Sequence, residues 1–600
     1  MNTERWITLA AGVTLLALAD AGLHLGAQQA APPPVPLSPV QLSIPEQPPP
    51  APPAAILQHY RPVSLERLKD PADSDWLMTR RTYDGWAYSP LDQINANNVK
   101  RLRPVWTMST GMNNGHEAAP IVNGGVMFVS TSYNQVIAID AKAGTILWRY
   151  RSQSPGNVRG KPVNRGVALY GGHVFAMLTE AVLLALDAKT GKEVWRATIG
   201  DNSAGEYATA PPLVADGKLV AGISGGDGPN RGFVAAYDPE TGRQLWKTYM
   251  TPSPGEQGSD TWRGDDWRTG GAATWVTGNY DPDTNLAFWG VGNGYPWVGY
   301  ARPGDNLYVA STVAIDVATG AIKGHFQYTP NESWDWDEVS PPILVDYRRG
   351  GRTIKGLINF ARSGYLYFLE RTAGAINFVE GMPYVKQNVF TRLDPKTGRP
   401  DIDEARKPDV GKVADFCPSW HGAKNWQPGA YNPKTRMVYI PTQENLCAVM
   451  VGRTIQTASG ATRVATTNRM YIAPGADHLS EVQAWNVDTG KKVWSHDFAR
   501  SPNWGPILTT AGGLVFSGGT NDRMFRAFDA ATGKVLWEFP TNSGIYAPPS
   551  SFMIDGKQYV AVLSGWGQDA RSMQARIDAA SPGNFPEVPE GGVIWVFAVE

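Results

Sequence analysis

The sequence has only two cysteines among its 600 residues, Cys417 and Cys447, and this scarcity excludes several kinds of protein. No Cys-x-x-Cys-His motif occurs, so the chain encodes no covalently attached haem. No cysteine lies near the N-terminus, which excludes a lipoprotein anchor.

An excess of charge of either sign is also missing. Lys and Arg number 54 and Asp and Glu number 55, for a net charge of −1, so nothing points to nucleic acid or an anionic membrane surface as a partner. The sequence is instead rich in Trp (22), Gly (64) and Pro (47), a mixture typical of many short strands joined by turns. Because this pattern is uniform after the N-terminal segment, one large repetitive architecture is favoured over several domains.

The N-terminal segment, residues 1–27, contains an apolar run at 6–18 that Asp20 and His24 follow. This run is too short and its surroundings too polar for a membrane span. It predicts a signal peptide, with an uncleaved N-terminal anchor as the alternative, and either one places the body outside the cytoplasm, in the periplasm. Residues 28–56 are rich in Pro and Ala and predict an extended linker, since proline removes backbone donors.

The two cysteines flank a predicted hairpin at residues 425–442. In an exported protein, Cys417 and Cys447 are expected to form a disulfide, because the compartment is oxidising. Two buried free thiols are the alternative.

A repeat of the form Ala-x-Asp-x-x-x-Gly-x-x-x-Trp runs through the body of the chain. Each copy predicts a strand that ends at Asp, a turn at Gly and a second strand that ends in Trp. The Asp side chain is suited to cap the amides of the turn, and the Trp to pack against the next repeat. Full copies begin at Ala138, Ala185, Ala236, Ala484 and Ala527, and incomplete copies begin at Ala314 and Ala430.

Neighbouring full copies lie roughly 43 to 51 residues apart, the length of a propeller blade. A four-stranded sheet leaves apolar faces that only neighbouring sheets can cover, so the ring must close. We therefore predict an all-β, eight-bladed β-propeller with tryptophan-docking repeats over residues 57–600, with seven blades as the alternative. Residues 592–598 are expected to pair with residues 103–107 and close the ring.

Two aspartates alternate with two tryptophans in the stretch 334–337. On an extended segment, Asp335 and Asp337 face one way while Trp334 and Trp336 face the other. Two carboxylates this close share a dry pocket only if a cation or a proton separates them. We interpret the pair as half of a metal site with one member free to act as a base. A surface turn rich in acids is the alternative.

Several stretches together carry a family resemblance. The chain resembles the quinoprotein alcohol dehydrogenases of the methanol/ethanol type, which use pyrroloquinoline quinone (PQQ), from about residue 86 to the C-terminus. The resemblance implies an eight-bladed propeller with PQQ and a metal ion buried near its axis. Besides the tryptophan repeat, the stretches are Gly422-Ala-Lys-Asn-Trp-Gln-Pro428, Val163-Asn-Arg-Gly166 and Trp334-Asp-Trp-Asp337.

The resemblance also implies roles for single residues. Asp335 matches the catalytic base that takes the hydroxyl proton of an alcohol, and Arg362 matches an arginine that hydrogen-bonds the quinone oxygens. Trp275 matches the indole that stacks under the quinone ring. The implied metal ligands are Asp227, Asn293, Asp335 and Asp337. The implied cofactor contacts are Glu117, Arg165, Thr209, Ser224, Gly225, Gly226, Trp275, Arg362, Asn425 and Trp504.

Three places in the sequence show where this chain differs from the family pattern or which members of the family it matches. Asp227 stands where the family usually has a glutamate ligand, so its carboxylate reaches one methylene less far. Arg159 and Gly160 stand where the family commonly has two adjacent cysteines over the quinone, and we expect the guanidinium of Arg159 to contact the cofactor instead. Asp337 stands where calcium members carry a small uncharged residue and lanthanide members an aspartate. Because a hard trivalent ion prefers more anionic oxygens, a lanthanide is predicted, with calcium as the alternative.

The function indicated is a periplasmic quinoprotein dehydrogenase that oxidises alcohols or aldehydes. Because no haem motif is encoded, its electrons are expected to go to a separate soluble cytochrome c. One alternative is a calcium-dependent family member that acts on a larger secondary or polymeric alcohol. Another is a non-catalytic propeller scaffold of the outer-membrane assembly type, which has no reason to gather four metal-ligand residues. The identity of the alcohol, the cleavage of residues 1–27 and homodimer formation stay open.

Overall fold

At six places among the described residues, a tryptophan side chain joins one sheet to the next. In the computed structural model, which describes residues 54–113, 115–153, 157–456 and 462–600, the indole N–H of Trp148 donates to the carbonyl of Ala188 at 2.9 Å. The corresponding bonds, all of 3.0–3.1 Å, run from Trp106 to Ala141, Trp195 to Pro239, Trp246 to Val317, Trp494 to Ala530 and Trp537 to Leu102.

The glycine of each repeat lies against the indole of the repeat before it. At Gly191 the backbone has φ +67°, and a Cβ there would approach the Trp148 ring to 2.5 Å. The Asp187 carboxylate caps this turn by accepting the backbone N–H groups of Lys189 and Thr190 at 3.1 and 2.8 Å, as the repeat predicts. The same close approach pairs Gly144 with Trp106, Gly242 with Trp195, Gly320 with Trp246 and Gly533 with Trp494.

Within the described residues, the strands form eight sheets of four or five strands that follow one another along the chain. In order, they are Ile121–Asn123, Val126–Thr131, Gln135–Asp140 and Ile146–Arg151; Ala168–Tyr170, His173–Leu178, Val182–Asp187 and Glu193–Thr198; Leu213–Ala215, Lys218–Gly222, Phe233–Tyr237 and Gln244–Tyr249; Asn279–Asp281, Leu286–Gly290, Ser311–Asp316 and Ile322–Gln327; Ile343–Arg349, Arg352–Phe360, Tyr365–Arg371 and Ile376–Pro383; Ala430–Asn432, Met437–Gln443, Ser480–Asn486 and Lys491–Phe498; Leu508–Thr510, Leu514–Ser517, Met524–Asp529 and Val535–Pro540, joined by Tyr88–Ser89; and Ser550–Ile554, Lys557–Ser564, Val593–Val599 and Leu102–Ser109.

The last of these sheets joins the two ends of the propeller body. Leu102–Ser109 pairs antiparallel with Val593–Val599, and Thr107 stands opposite Trp595, so the predicted closure by the C-terminal strand is confirmed. The all-β propeller fold is confirmed as well. Eight sheets agree in number with the eight blades expected, and their arrangement as eight blades around one axis stays a prediction.

The remaining elements are short, apart from one long hairpin. Two smaller sheets are formed by Phe390–Leu393 with Pro400–Ile402, and by Val413–Phe416 with the hairpin Leu446–Gln456 and Thr462–Ile472. The α-helices are Ala55–Gln58, Leu65–Lys69 and Gln568–Ala580. The 3₁₀ helices are Val99–Arg101, Asn202–Ala204, Ser259–Thr261, Asp266–Thr269, Gly299–Ala301 and Glu404–Arg406. Among the described residues, no helix has the length and apolar character to cross a membrane.

The predicted disulfide is present. Cys417 and Cys447 are bonded, with their Cα atoms 4.4 Å apart, and the bond ties the end of Val413–Phe416 to the start of Leu446–Gln456. The predicted signal peptide or anchor, residues 1–27, lies outside the described residues. The same is true of the predicted linker, except for its last residues, which already belong to the helix Ala55–Gln58.

Replacing a glycine that lies against a docking tryptophan is expected to weaken the fold. For Gly191→Ala we expect a loss of about 2–4 kcal/mol, because the methyl group meets the Trp148 ring and the positive φ is strained for alanine. The shift of the guanidinium unfolding midpoint measures this loss. Gly172→Ala is the matched control, since a Cβ there meets nothing within 4 Å. Equal shifts in the two variants would contradict the docking role.

Candidate active site

The acidic stretch forms a loop between the strands Ile322–Gln327 and Ile343–Arg349. The Glu332 carboxylate accepts the backbone N–H groups of Trp334 and Trp336 at 2.5 and 2.9 Å. Both indoles are fully buried and stack with their ring centroids 5.0 Å apart. The extended segment expected from the sequence is not formed, because the stretch is a loop in which Asp335 has φ +68°.

Direct contacts join the acidic residues of the candidate metal site. Asp337 accepts the backbone N–H of Asn293 at 2.7 Å through Oδ1. The side-chain amide of Asn293 donates to Oδ1 of Asp227 at 3.3 Å. The guanidinium of Arg362 lies 3.2 Å from Oδ2 of Asp337 and donates to the carbonyl of Asp335 at 3.1 Å. Residues far apart in the sequence therefore meet at one point.

The electrostatics of this point favour a bound cation. Burial raises the pKa of Asp335 well above its ordinary value, the charges of Asp227 and Asp337 raise it further, and Arg362 opposes them. Burial also raises the pKa of Asp337, against the effect of Arg362. Two poorly solvated carboxylates thus lie near one guanidinium, with the exposed Asp227 beside them, an arrangement whose repulsion a metal cation would offset.

A partly enclosed cavity lies beside these acids, and Asp227, Asn293 and Asp337 form part of its lining. Glycine lets the chain approach closely here, since a Cβ at Gly226 would meet that of Ala273 at 2.9 Å. Six of the residues expected to contact the cofactor line the cavity. The lining residues are Lys161, Arg165, Tyr207, Thr209, Ser224, Gly225, Gly226, Asp227, Ala273, Trp275, Asn293 and Asp337.

Arg165 is held rigidly at the wall of the cavity. Its guanidinium carbon lies 4.8 Å from the ring centroid of Trp275 and 4.6 Å from that of Trp426. It forms a buried ion pair of 2.9 Å with Glu117 and donates to the Thr209 hydroxyl at 2.5 Å. A fixed, desolvated guanidinium of this kind is suited to bind a carboxylate or carbonyl of a planar ligand.

Asn425 and Trp504 continue the site beyond the residues that line the cavity. Asn425 accepts a hydrogen bond from Arg362 at 3.3 Å, and its amide nitrogen lies 3.4 Å from Nδ1 of His421. The buried Trp504 packs edge-on against His421, with ring centroids 5.8 Å apart. Asn425 therefore contacts the guanidinium of Arg362 directly, and Trp504 is linked to it through His421 and Asn425.

Arg159 differs from the other residues expected to contact a cofactor. It is exposed and lines a separate open cleft, and its backbone N–H donates to Asn202 at 3.0 Å. The expectation that its guanidinium covers the cofactor finds no support in this placement. At the neighbouring Gly160, a Cβ would meet the Tyr207 ring at 2.5 Å, so the aromatic ring of a cavity-lining residue fills this space.

Some residues of the site were not anticipated from the sequence. The indole N–H of Trp297 donates to Asp227 at 3.1 Å. Glu338 accepts the backbone N–H of Arg362 at 2.9 Å, and burial raises its pKa to about 8. Burial lowers the pKa of the neighbouring Lys424 to about 7. The only available sequence signals were the position of Glu338 directly after Asp337 and that of Lys424 beside Asn425.

Comparisons with known proteins agree on one family. The family model described as "Glucose/ethanol/alcohol dehydrogenase, beta-propeller domain" matches residues 76–389 and 498–560. The chain is 38% identical over 561 residues to quinoprotein alcohol dehydrogenase PedH of Pseudomonas putida, covering 89% of this chain and 92% of the relative.

Two further relatives carry a lanthanide in their names or titles. The lanthanide-dependent methanol dehydrogenase of Methylacidiphilum fumariolicum is 35% identical over 571 residues, covering 88% of this chain and 92% of the relative. The solved structure of a europium-containing methanol dehydrogenase superposes with a TM-score of 0.81 at 33% identity and covers 89% of this chain and 99% of that one. Since the fold, the site and these similarities agree, the chain belongs to the PQQ-dependent quinoprotein alcohol dehydrogenase family.

Proposed function

We propose that this protein is a periplasmic alcohol dehydrogenase that holds PQQ in the cavity and a lanthanide ion at Asp227, Asn293, Asp335 and Asp337. The observation that carries the proposal is the chain of contacts from Asp227 through Asn293 and Asp337 to Arg362, beside a cavity that six of the expected cofactor contacts line. A separate soluble cytochrome c would accept the electrons, because the chain has no haem-attachment motif. Export is supported by the N-terminal segment and by the disulfide, which is typical of oxidising compartments.

The donor set favours a trivalent ion over Ca²⁺. Asp227, Asp335 and Asp337 supply three anionic oxygens, and only Arg362 supplies a positive charge at the same point. Hard cations bind oxygen ligands, and the number of anionic ligands raises the preference for higher charge. The names of the lanthanide-dependent relatives agree with this choice.

Residues of the cavity would orient the cofactor. When bound, PQQ accepts the hydride of the alcohol and the metal polarises a quinone carbonyl as a Lewis acid. Trp275 supplies a flat indole face, and Arg165 supplies a guanidinium fixed by Glu117. Tyr207 covers the side where relatives carry adjacent cysteines, since its ring packs against Gly160.

Asp335 would act as the base that takes the hydroxyl proton of the alcohol. Burial and neighbouring acids raise its pKa, and a bound cation would oppose them and hold the carboxylate in the ionised form that can accept a proton. Arg362 fixes the loop by donating to the carbonyl of Asp335, while Glu338 fixes Arg362 through its backbone N–H. A calcium-dependent enzyme for a larger secondary or polymeric alcohol remains the second candidate, and the metal test below separates the two.

Reconstitution with La³⁺ or Ca²⁺ tests the choice of metal. We expect alcohol oxidation by the wild type with PQQ and La³⁺, and little with Ca²⁺, because Ca²⁺ leaves the three carboxylates under-neutralised. Asp337→Ala removes one anionic ligand and should abolish La³⁺-dependent turnover in a dye-coupled assay. Asp283→Ala, an exposed acid 4.0 Å from Lys69, is the control and should retain wild-type rates. Equal rates with both ions in wild type and Asp337→Ala would refute the lanthanide assignment.

Replacing the proposed base should affect chemistry more than binding. For Asp335→Asn we expect kcat to fall by about 10²–10⁴, the usual contribution of general-base catalysis, while the amide oxygen still contacts the metal. Single-turnover reduction of bound PQQ, followed by absorbance, separates this step from product release. A rate within tenfold of wild type, at full cofactor and metal occupancy, would assign the base to another residue.

Trp297 is expected to help the short Asp227 side chain hold the metal. For Trp297→Phe we expect the La³⁺ affinity, measured by calorimetry, to fall about 5- to 20-fold, because the hydrogen bond that orients the carboxylate is lost. Trp106→Phe is the control, since its indole bonds the carbonyl of Ala141 elsewhere in the fold. If both variants bind La³⁺ as the wild type does, Asp227 does not depend on this indole.

A further inference from the structure

We propose a second metal site outside the active site, in which Glu444, His478 and Glu481 bind a divalent first-row transition cation, with Zn²⁺ as the best fit. Glu444 directly follows the strand Met437–Gln443, and Glu481 lies in the paired strand Ser480–Asn486, opposite Thr442. The loop that holds Glu444 leads to the disulfide at Cys447.

The spacing of the three side chains suits a single ion. One ligand atom from each residue lies within 4.8 Å of the other two. Nε2 of His478 is 3.1 Å from Oε1 of Glu481 and 4.0 Å from Oε2 of Glu444. Tetrahedral Zn²⁺ with bonds of about 2.1 Å separates its ligand atoms by about 3.4 Å. Side-chain adjustments of about an ångström would therefore complete the geometry.

The proposed ligand atoms lack partners that would explain their burial. The Glu444 side chain is only 8% exposed, its carboxylate accepts no hydrogen bond from the described residues, and the nearest ammonium, of Lys386, is 4.0 Å away. Nε2 of His478 is buried and, in spite of its closeness to Glu481, forms no aligned hydrogen bond. Because buried polar groups are normally hydrogen-bonded, these atoms point to a ligand.

Outer contacts orient the ligands in the way metal sites require. Nδ1 of His478 lies 2.7 Å from a carboxylate oxygen of Asp477, which directs the ring proton to Nδ1 and leaves Nε2 for a cation. The amide of Gln483 donates to Oε2 of Glu481 at 2.7 Å. Burial and the charge of Glu481 raise the pKa of Glu444, so a cation would stabilise the two carboxylates together.

An ion-pair network without a metal is the competing explanation. Lys386 and Lys492 are its cations, but they lie 4.0 and 3.8 Å from the carboxylates and are 75% and 40% exposed. Exposed lysines at these distances contribute little and are easily displaced. One imidazole and two carboxylates form a donor set that suits Zn²⁺ better than Ca²⁺, which prefers more oxygens. The bound ion would tie the loop at Glu444 to the neighbouring strand.

Zn²⁺ titration of the enzyme already loaded with PQQ and lanthanide tests the proposal, because the active-site ligands are then occupied. We expect one equivalent to bind by calorimetry, a rise in thermal midpoint, and ligand-field absorption bands of a histidine–carboxylate site when Co²⁺ replaces Zn²⁺. Glu444→Gln and His478→Gln should weaken Zn²⁺ binding at least 100-fold, and Asp477→Asn about 10- to 100-fold. Alcohol oxidation should be unchanged in all three variants.

Lys386→Ala separates the site from an ion-pair network. A metal site should bind Zn²⁺ as tightly as before or more tightly, because a competing cation is gone. The proposal is overturned if the wild type shows no saturable Zn²⁺ binding, or if Glu444→Gln, folded by circular dichroism and fully active, binds Zn²⁺ as the wild type does. Glu444→Gln keeps the size of the side chain, so lost binding in this variant reports a lost ligand and not lost structure.

Discussion

The buried guanidinium of Arg362, in contact with the carboxylate of Asp337 and the backbone carbonyl of Asp335, is the constraint on which the rest of the site depends. Asp227, Asn293, Asp337 and Arg362 contact one another in a chain, and the loop of Asp335 is fixed by the same guanidinium. Burial raises the pKa of both Asp335 and Asp337, so holding these two carboxylates close together in the ionised form is costly unless a cation neutralises them. The fold must therefore hold the residues together against their repulsion. Glu332 holds the loop in place by accepting the backbone N–H groups of Trp334 and Trp336. Glu338 holds Arg362 in place by accepting its backbone N–H.

The docking of tryptophan on glycine supplies that rigidity. Five of the docking indoles bridge two sheets both by a hydrogen bond to a carbonyl and by contact with a glycine at positive φ, so the sheets that they join cannot shift without breaking both. Residues 227, 293, 335 and 362 lie on connections after different strands, and only a fixed spacing between sheets brings them to one point. The same repeat that covers the apolar faces of the sheets thus sets the distances within the site.

The repeated tryptophan motif and the cluster of acidic residues could be predicted from the sequence. Contacts that depend on the path of a loop could not. The spacing of the tryptophan motif predicted the propeller, and the Asp–Trp alternation predicted where carboxylates meet. The left-handed turn at Asp335 was not predicted, because aspartate adopts positive φ only when surrounding contacts impose it. Trp297 was missed because a loop of undefined path brings it to Asp227. The exposure of Arg159 was missed for a similar reason, since family spacing fixes its place along the chain but not the direction of its side chain.

The chain departs from the family pattern at two positions, Gly160 and Asp227. At each position a neighbouring side chain compensates for the change, as expected if the function is preserved. A cysteine pair is replaced by a sequence with Gly160, and the space without a Cβ is filled by the ring of Tyr207, which lines the cavity. A glutamate is replaced by Asp227, and the shorter side chain is held by the indole of Trp297 and the amide of Asn293. Drift after loss of function would leave cavities or unpaired acids at these two positions. Because both positions are instead filled or hydrogen-bonded, they agree with the cofactor and metal centre that we propose for this site.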